Sequence, residues 1–140
     1  MSNQDLKEKI LNIISKHKLG VLSSVENNKP HSRYMTFYSE GLTLFTPTKM
    51  DTEKIEEIEA NASVSVLLGY EDKGQDDAYV EISGIASINK SQELKMKLWE
   101  ESFSQWFKGP EDPNYIFLQI QPEIIRILNT HGESSEELVL

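Results

Sequence analysis

The gaps between strands constrain this chain more than the strands do. Residues 19–25 (LGVLSSV), 31–38 and 42–46 (LTLFT) each read as extended, apolar-rich runs. Only a turn at 26–30 (ENNKP) and another at 39–41 (SEG) separate them. Connections that short join antiparallel neighbours, whereas a parallel pair needs a crossover of about a dozen residues or more. Asn27 and Asn28 suit the first turn, because asparagine enters left-handed conformations at low cost. The segment is therefore an antiparallel meander, and a parallel α/β sheet is excluded as the organising architecture.

The rest of the chain extends that plan. Leu6, Ile10, Ile13, Ile14 and His17 recur at spacings of three and four, which predicts an amphipathic helix over 4–17. TPTKMD (46–51) reads as a loop, followed by a short helix, TEKIEEIEAN (52–61). Asp51 or Thr52 would cap that helix, with Ile55 and Ile58 inward and Glu56, Glu57 and Glu59 in water. A fourth strand spans 63–70, a solvated loop 71–77 and a fifth strand 78–88. Val80, Ile82, Gly84, Ala86 and Ile88 share one side of the fifth strand, where Gly84 and Ala86 allow another backbone or a ligand to come close. A third helix starts at Asn89, with Gln92 in capping-box position. It carries Leu94, Leu98, Trp99, Phe103, Trp106 and Phe107 and stops at Gly109-Pro110. Strands follow at 116–121 and 122–129, and an acidic tail from residue 130 is expected to be mobile. The prediction is a mainly β fold with peripheral helices: a six- to seven-stranded antiparallel barrel forming one domain over 1–140, with its N-terminal helix within 1–18.

Composition limits the partners. The 140 residues suit a single domain. A net charge of −9, with no basic stripe, argues against nucleic acid, whose phosphates repel such a surface. No cysteine is present, which removes disulfides, zinc–thiolate sites and thiol nucleophiles. No apolar run has the length of a membrane span, and the charged start MSNQDLKEKI lacks a signal-peptide core. A cytoplasmic protein is expected.

One strand carries a charge in its middle. In KPHSRYMTF (29–37), His31, Arg33, Met35 and Phe37 share a face, and Ser32, Tyr34 and Thr36 share the other. In the plain reading Arg33 is exposed and pairs with a nearby glutamate. In the other it serves an anion. Lys54 bears on that choice: it lies in the first turn of the short helix, where a cation opposes the helix dipole and a bound anion would remove the conflict. Thr46, Thr48 and Thr52 offer hydroxyl donors nearby. Lys54 as a lysine merely offsetting the flanking glutamates is the alternative. His17, His31 and His131 are scattered, and no metal-ligand spacing, G-x-S-x-G, Walker loop or G-x-G-x-x-G occurs. Trp99, Phe103, Trp106 and Phe107 suit a core in the plain reading; Trp106 and Phe107, at the helix end, could instead cover a flat cofactor or meet a partner subunit.

Taken in order, these pieces resemble the FMN-binding split-barrel proteins related to pyridoxamine 5′-phosphate oxidase, and among them the general stress protein 26 group. The resemblance runs from about residue 5 to residue 128 and rests on Pro30-x-x-Arg33, Thr46, and Thr52-x-Lys54 before a helix and strand, with LWEESFSQWFKGPEDPNY later. It implies an FMN-binding homodimer with flavin at the subunit interface, acting as an oxidoreductase in a stress or redox response; FAD is possible. By position, Arg33 and Lys54 would hold the phosphate, with Thr46 and Thr52 as donors. Tyr34, Met35 and Thr36 would run beside the ring, and Trp106 would cover it. Lys49, in a loop longer than the family's, is an alternative phosphate lysine. The acidic end, HGESSEELVL, would repel a phosphorylated substrate, so true pyridoxamine-phosphate oxidation is not expected. No acid or base is assigned. A non-catalytic flavin binder or sensor, and a cofactor-free scaffold, are the alternatives.

Overall fold

A computed structural model describes residues 2–73, 77–129 and 135–140. Helix α1 (Asn3–Lys16) opens the chain, capped by the Ser2 hydroxyl, which accepts from the Asp5 N–H; Leu6, Ile10, Ile13 and Ile14 form its buried stripe. Strands β1 (Leu19–Glu26), β2 (Lys29–Thr36), β3 (Tyr38–Glu40) and β4 (Thr43–Lys49) follow. Helix α2 (Glu53–Ala60) leads to β5 (Ser63–Leu68) and β6 (Tyr79–Asn89). Helix α3 (Gln92–Lys97), a 3₁₀ segment (Glu101–Gln105), β7 (Tyr115–Leu128) and β8 (Glu136–Val139) complete it.

The eight strands form one antiparallel sheet in the order β2-β1-β5-β6-β7-β4-β3, with β8 on β7. Phe37 explains its shape. β2 and β3 stand at opposite ends of that order, yet only Phe37 separates them in sequence. The sheet must therefore curl until its ends nearly meet. Phe37 seals the seam: its ring is buried, and its N–H donates to the Lys18 carbonyl at 2.6 Å. The result is a split barrel filled by Leu22, Leu44, Val66, Ile82, Leu118 and Ile125, among others, with α1 and α2 packed on it.

Several expectations change. The second expected strand breaks at Phe37, so β2 pairs with β1 alone, and β3 rather than β2 pairs with β4. TPTKMD is not a loop up to Lys49, because β4 continues through Pro47 and Thr48 against β7. Beyond Phe45 its other edge has no ladder partner, which is where proline is tolerated. The expected sixth and seventh strands are one, bent by a register shift where Gly84 faces Pro122. A Cβ at Gly84 would overlap the Gln121 carbonyl, so the close approach is by backbone. The third helix is capped by Ser91, not Asn89, and breaks after Lys97 before the 3₁₀ segment. The acidic tail, expected to be mobile, supplies β8, whose Leu138 joins the core. His131 and residues 130–134 lie outside the described residues. Asn27 and Asn28 do take positive φ, 51° and 64°.

Candidate functional site

Four elements converge on a cleft of about 460 Å³, within the roughly 300–1,000 Å³ usual for small-molecule sites. β2 contributes Tyr34, Met35 and Thr36; β4 contributes Pro47, Thr48 and Lys49; the start of α2 contributes Thr52 and Lys54. Phe103, Trp106 and Phe107 form the facing wall. Phe103 and Phe107 belong to a second buried cluster with Phe45, Tyr115 and Phe117, so they are core and wall at once. Trp106 stays 57% exposed at the rim. One side is thus flat and aromatic, and the other is cationic and rich in hydroxyls.

The cationic end is strained electrostatically. Burial, and then the nearby Arg33 charge, push the Lys54 ammonium below its ordinary value. Its one hydrogen bond is to Thr52 Oγ1 at 3.3 Å, and it makes no ion pair among the described residues. Thr52 is the N-cap of α2, but its hydroxyl donates backward to the Lys49 carbonyl at 3.0 Å and caps no helix N–H. The N–H groups of the first helical turn therefore lack a side-chain cap.

Arg33 takes a different position. It does not line the cleft; Nη2 bonds Glu57 Oε2 at 3.1 Å, and Nη1 bonds Ser24 Oγ at 2.8 Å and the Leu22 carbonyl at 3.4 Å. Ser24 donates to Glu57 Oε2 at 2.6 Å, and His31 Nδ1 reaches Glu57 Oε1 at 2.7 Å. The plain reading of Arg33 is met in its glutamate partner but not in its exposure, because Arg33 is half-buried and the glutamate is buried. Glu57, however, does not face water as expected: it is 5% exposed. The Ser24 hydroxyl, followed by His31, holds its carboxyl down at about 2. The donors that make this burial tolerable come from β1 and β2, and α2 alone gives no sign of them. The alternation of His31 and Arg33 on one face is the only trace of it in the sequence.

Of the predicted site residues, Tyr34, Met35, Thr36, Lys49, Thr52, Lys54 and Trp106 line one cleft, while Arg33 and Thr46 do not. Thr46 is fully buried, and its hydroxyl has no hydrogen-bond partner among the described residues. Glu26, His31 and Glu57 also gather, with ligand atoms within 4.8 Å, though their sequence spacing suggests no metal site; Arg33 already supplies positive charge there. A second hollow of about 520 Å³ adjoins that cluster, but its lining of Glu26, Glu53, Glu56 and Glu57 repels anions.

The features fit a flat ligand with an anionic end: a slot walled by aromatics, a lysine without a counter-ion and an uncapped helix start. Residues 6–129 match the family model described as pyridoxamine 5′-phosphate oxidase. The chain is 49% identical to General stress protein 26 of Bacillus subtilis (strain 168) over 140 residues, the whole length of both. It superposes on the crystal structure of General Stress Protein 26 from Bacillus anthracis str. Sterne with a TM-score of 0.85 and 42% identity, covering 96% of this chain and 98% of that one. The pyridoxamine 5′-phosphate oxidase-related, FMN binding protein of Nostoc punctiforme PCC 73102 shares the fold at 14% identity, with a TM-score of 0.69 over 96% of this chain and 86% of that one. The chain belongs to the pyridoxamine 5′-phosphate oxidase family.

Proposed function

We propose that the cleft binds a flavin mononucleotide and that the protein is a flavin-dependent oxidoreductase of a cytoplasmic stress or redox response. The observation that carries this reading is Lys54: half-buried, pressed by Arg33, without a carboxylate partner, at an uncapped helix start. A phosphate there would relieve each of those costs together. Lys54 is preferred to Lys49 because it alone stands in the first turn of α2. Tyr34, Met35 and Thr36 would flank the ring opposite Phe103 and Trp106, and the buried aromatic wall would exclude water from one side. The bound flavin would supply the hydride chemistry, and the protein placement and hydrogen bonds. FAD is the alternative cofactor if the cleft mouth accepts a larger nucleotide.

We further propose a homodimer with this cleft at its edge. Tyr34 is 75% exposed, and with Leu19, Val21, Leu67 and Tyr70 it lines an apolar hollow on the outer face of β2, β1 and β5. Such continuous apolar exposure marks an interaction surface.

A second reading, a flavin binder without turnover, is favoured by one observation: the described lining contains no carboxylate or imidazole to move a proton. Titration with FMN and with riboflavin tests the main reading. Wild type binds FMN, and Lys54→Ala weakens FMN by about 10- to 100-fold, the loss of one charge-assisted contact, while leaving riboflavin unchanged. Equal weakening of both ligands refutes the phosphate role. Stoichiometric flavin that nicotinamide reductants fail to reduce selects the second reading.

A further inference from the structure

We infer that Glu57 is the positioning residue of the phosphate site, acting through Arg33; this rests on the reading of Lys54 and the α2 start as that site. A carboxylate at this place needs a reason. Its neighbours on the inward face of α2, Ile55 and Ile58, are buried core residues, and Glu57 is nearly as hidden. An apolar side chain would fill the space without desolvating a charge. Both Glu57 oxygens are engaged: Oε2 accepts from the Ser24 hydroxyl and Arg33 Nη2, and Oε1 faces His31 Nδ1. Ser24 is itself fully buried and accepts from Arg33 Nη1. Ser24, Glu57 and Arg33 thus close a three-membered ring of hydrogen bonds that fixes the plane of the guanidinium. The Leu22 carbonyl takes a further Nη1 bond, leaving the Arg33 Nε–H and one Nη2–H without a hydrogen-bond partner among the described residues.

The same helix ties this ring to the cleft. Lys54 and Glu57 stand one turn apart on α2, and the Lys54 ammonium is pushed down first by burial and then by the Arg33 charge. An anion beside Lys54 therefore lies within the field of an arginine whose orientation Glu57 sets. Two effects of Glu57 oppose each other. Its charge repels a phosphate, and its grip preorganises Arg33 for one. The buried, fully bonded geometry makes the grip the larger effect, because a free guanidinium on an edge strand would spread over many rotamers.

A double-mutant cycle on the full-length protein separates the two. Glu57→Ala is expected to weaken FMN about tenfold, with riboflavin held within about twofold, in line with a misdirected charge-assisted contact. In an Arg33→Ala background the same change should leave FMN affinity equal or slightly tighter, since only the repulsion is then removed. Glu57→Gln, which keeps the side-chain volume and an acceptor for Ser24, guards against failure to fold and should fall between wild type and Glu57→Ala. Three results overturn the inference: equal loss of FMN and riboflavin, the same FMN loss without Arg33, or tighter FMN binding by Glu57→Ala with Arg33 present. Inorganic phosphate, followed by its shift of thermal stability, distinguishes this inference from the flavin reading. If wild type binds phosphate but not FMN, and Glu57→Ala still weakens phosphate, the positioning role stands and the flavin reading falls. If wild type binds neither, both fall.

Discussion

β7 and β2 belong to one sheet and are opposites. β7 is buried along most of its fourteen residues and is paired to β6, β4 and β8. β2 has one ladder partner, and none of its eight residues is fully buried; Arg33 and Met35 alone are half-shielded. The contrast separates a strand that holds the core from a strand that lines the candidate site. A charge among the buried residues of β7 would face apolar neighbours; Arg126 of that strand lies on the opposite side from its buried neighbours Ile125 and Ile127 and is ion-paired with Glu81 and Glu137. On an edge strand an arginine keeps part of its hydration, here 26% exposure, while finding a buried counter-ion across the barrel seam. The same openness leaves Tyr34, Met35 and Thr36 within reach of a ligand or a second subunit.

The largest expected effect lies in β7. Ile125 is fully buried opposite Ile82 and is not part of the cleft lining. Ile125→Ala should lose about 2–5 kcal/mol in chemical denaturation, the usual range for a large-to-small core change, with FMN affinity of the folded protein unchanged. Affinity falling along with stability would mean that core and site are one cooperative unit.

A smaller effect tests the polar side. The Glu57 carboxyl sits at about 2 rather than its ordinary 4.5, so the folded chain binds its proton less readily than the unfolded chain. Its contribution to stability is complete above 4.5 and is lost as the pH falls toward 2. Glu57→Gln has no group titrating there. It should be less stable than wild type at neutral pH and lose less on acidification, so that the two melting-temperature profiles converge below pH 4.5. Parallel profiles would show that Glu57 is not held charged by its partners.

The smallest expected effect has the opposite sign and is the most diagnostic. Lys54 is desolvated and repelled in the ligand-free protein. Lys54→Ala should leave ligand-free stability unchanged or raise it by up to about 1 kcal/mol, even as it weakens FMN. A substantial loss of stability would identify Lys54 as a structural lysine and remove the main support for an anion site.

Much of the fold was legible because its signals are local. The short turn at 26–30 makes β1 and β2 antiparallel neighbours, and alternation in 78–88 marks the face that fills the barrel. Legibility ended where a residue's role depends on distant chain. That Phe37 ends one strand and begins another follows from the sheet curling back on itself, and no pattern within KPHSRYMTF announces it. The acidic composition of the tail suggested water, yet Leu138 finds room beside β7. Local composition sets what a segment can form, but not what will cover it.

The candidate site divides in the same way. Lys54 at a helix start and the alternation around Arg33 are matters of period and dipole, and they can be read from residues a few positions apart. Which groups meet is another matter. Glu57 reads from α2 alone as one solvated glutamate among several, and becomes a buried anion because β1 and β2 bring Ser24, His31 and Arg33 against it. A charge can be buried only where partners arrive from elsewhere in the chain, and the curl of the sheet brings them there.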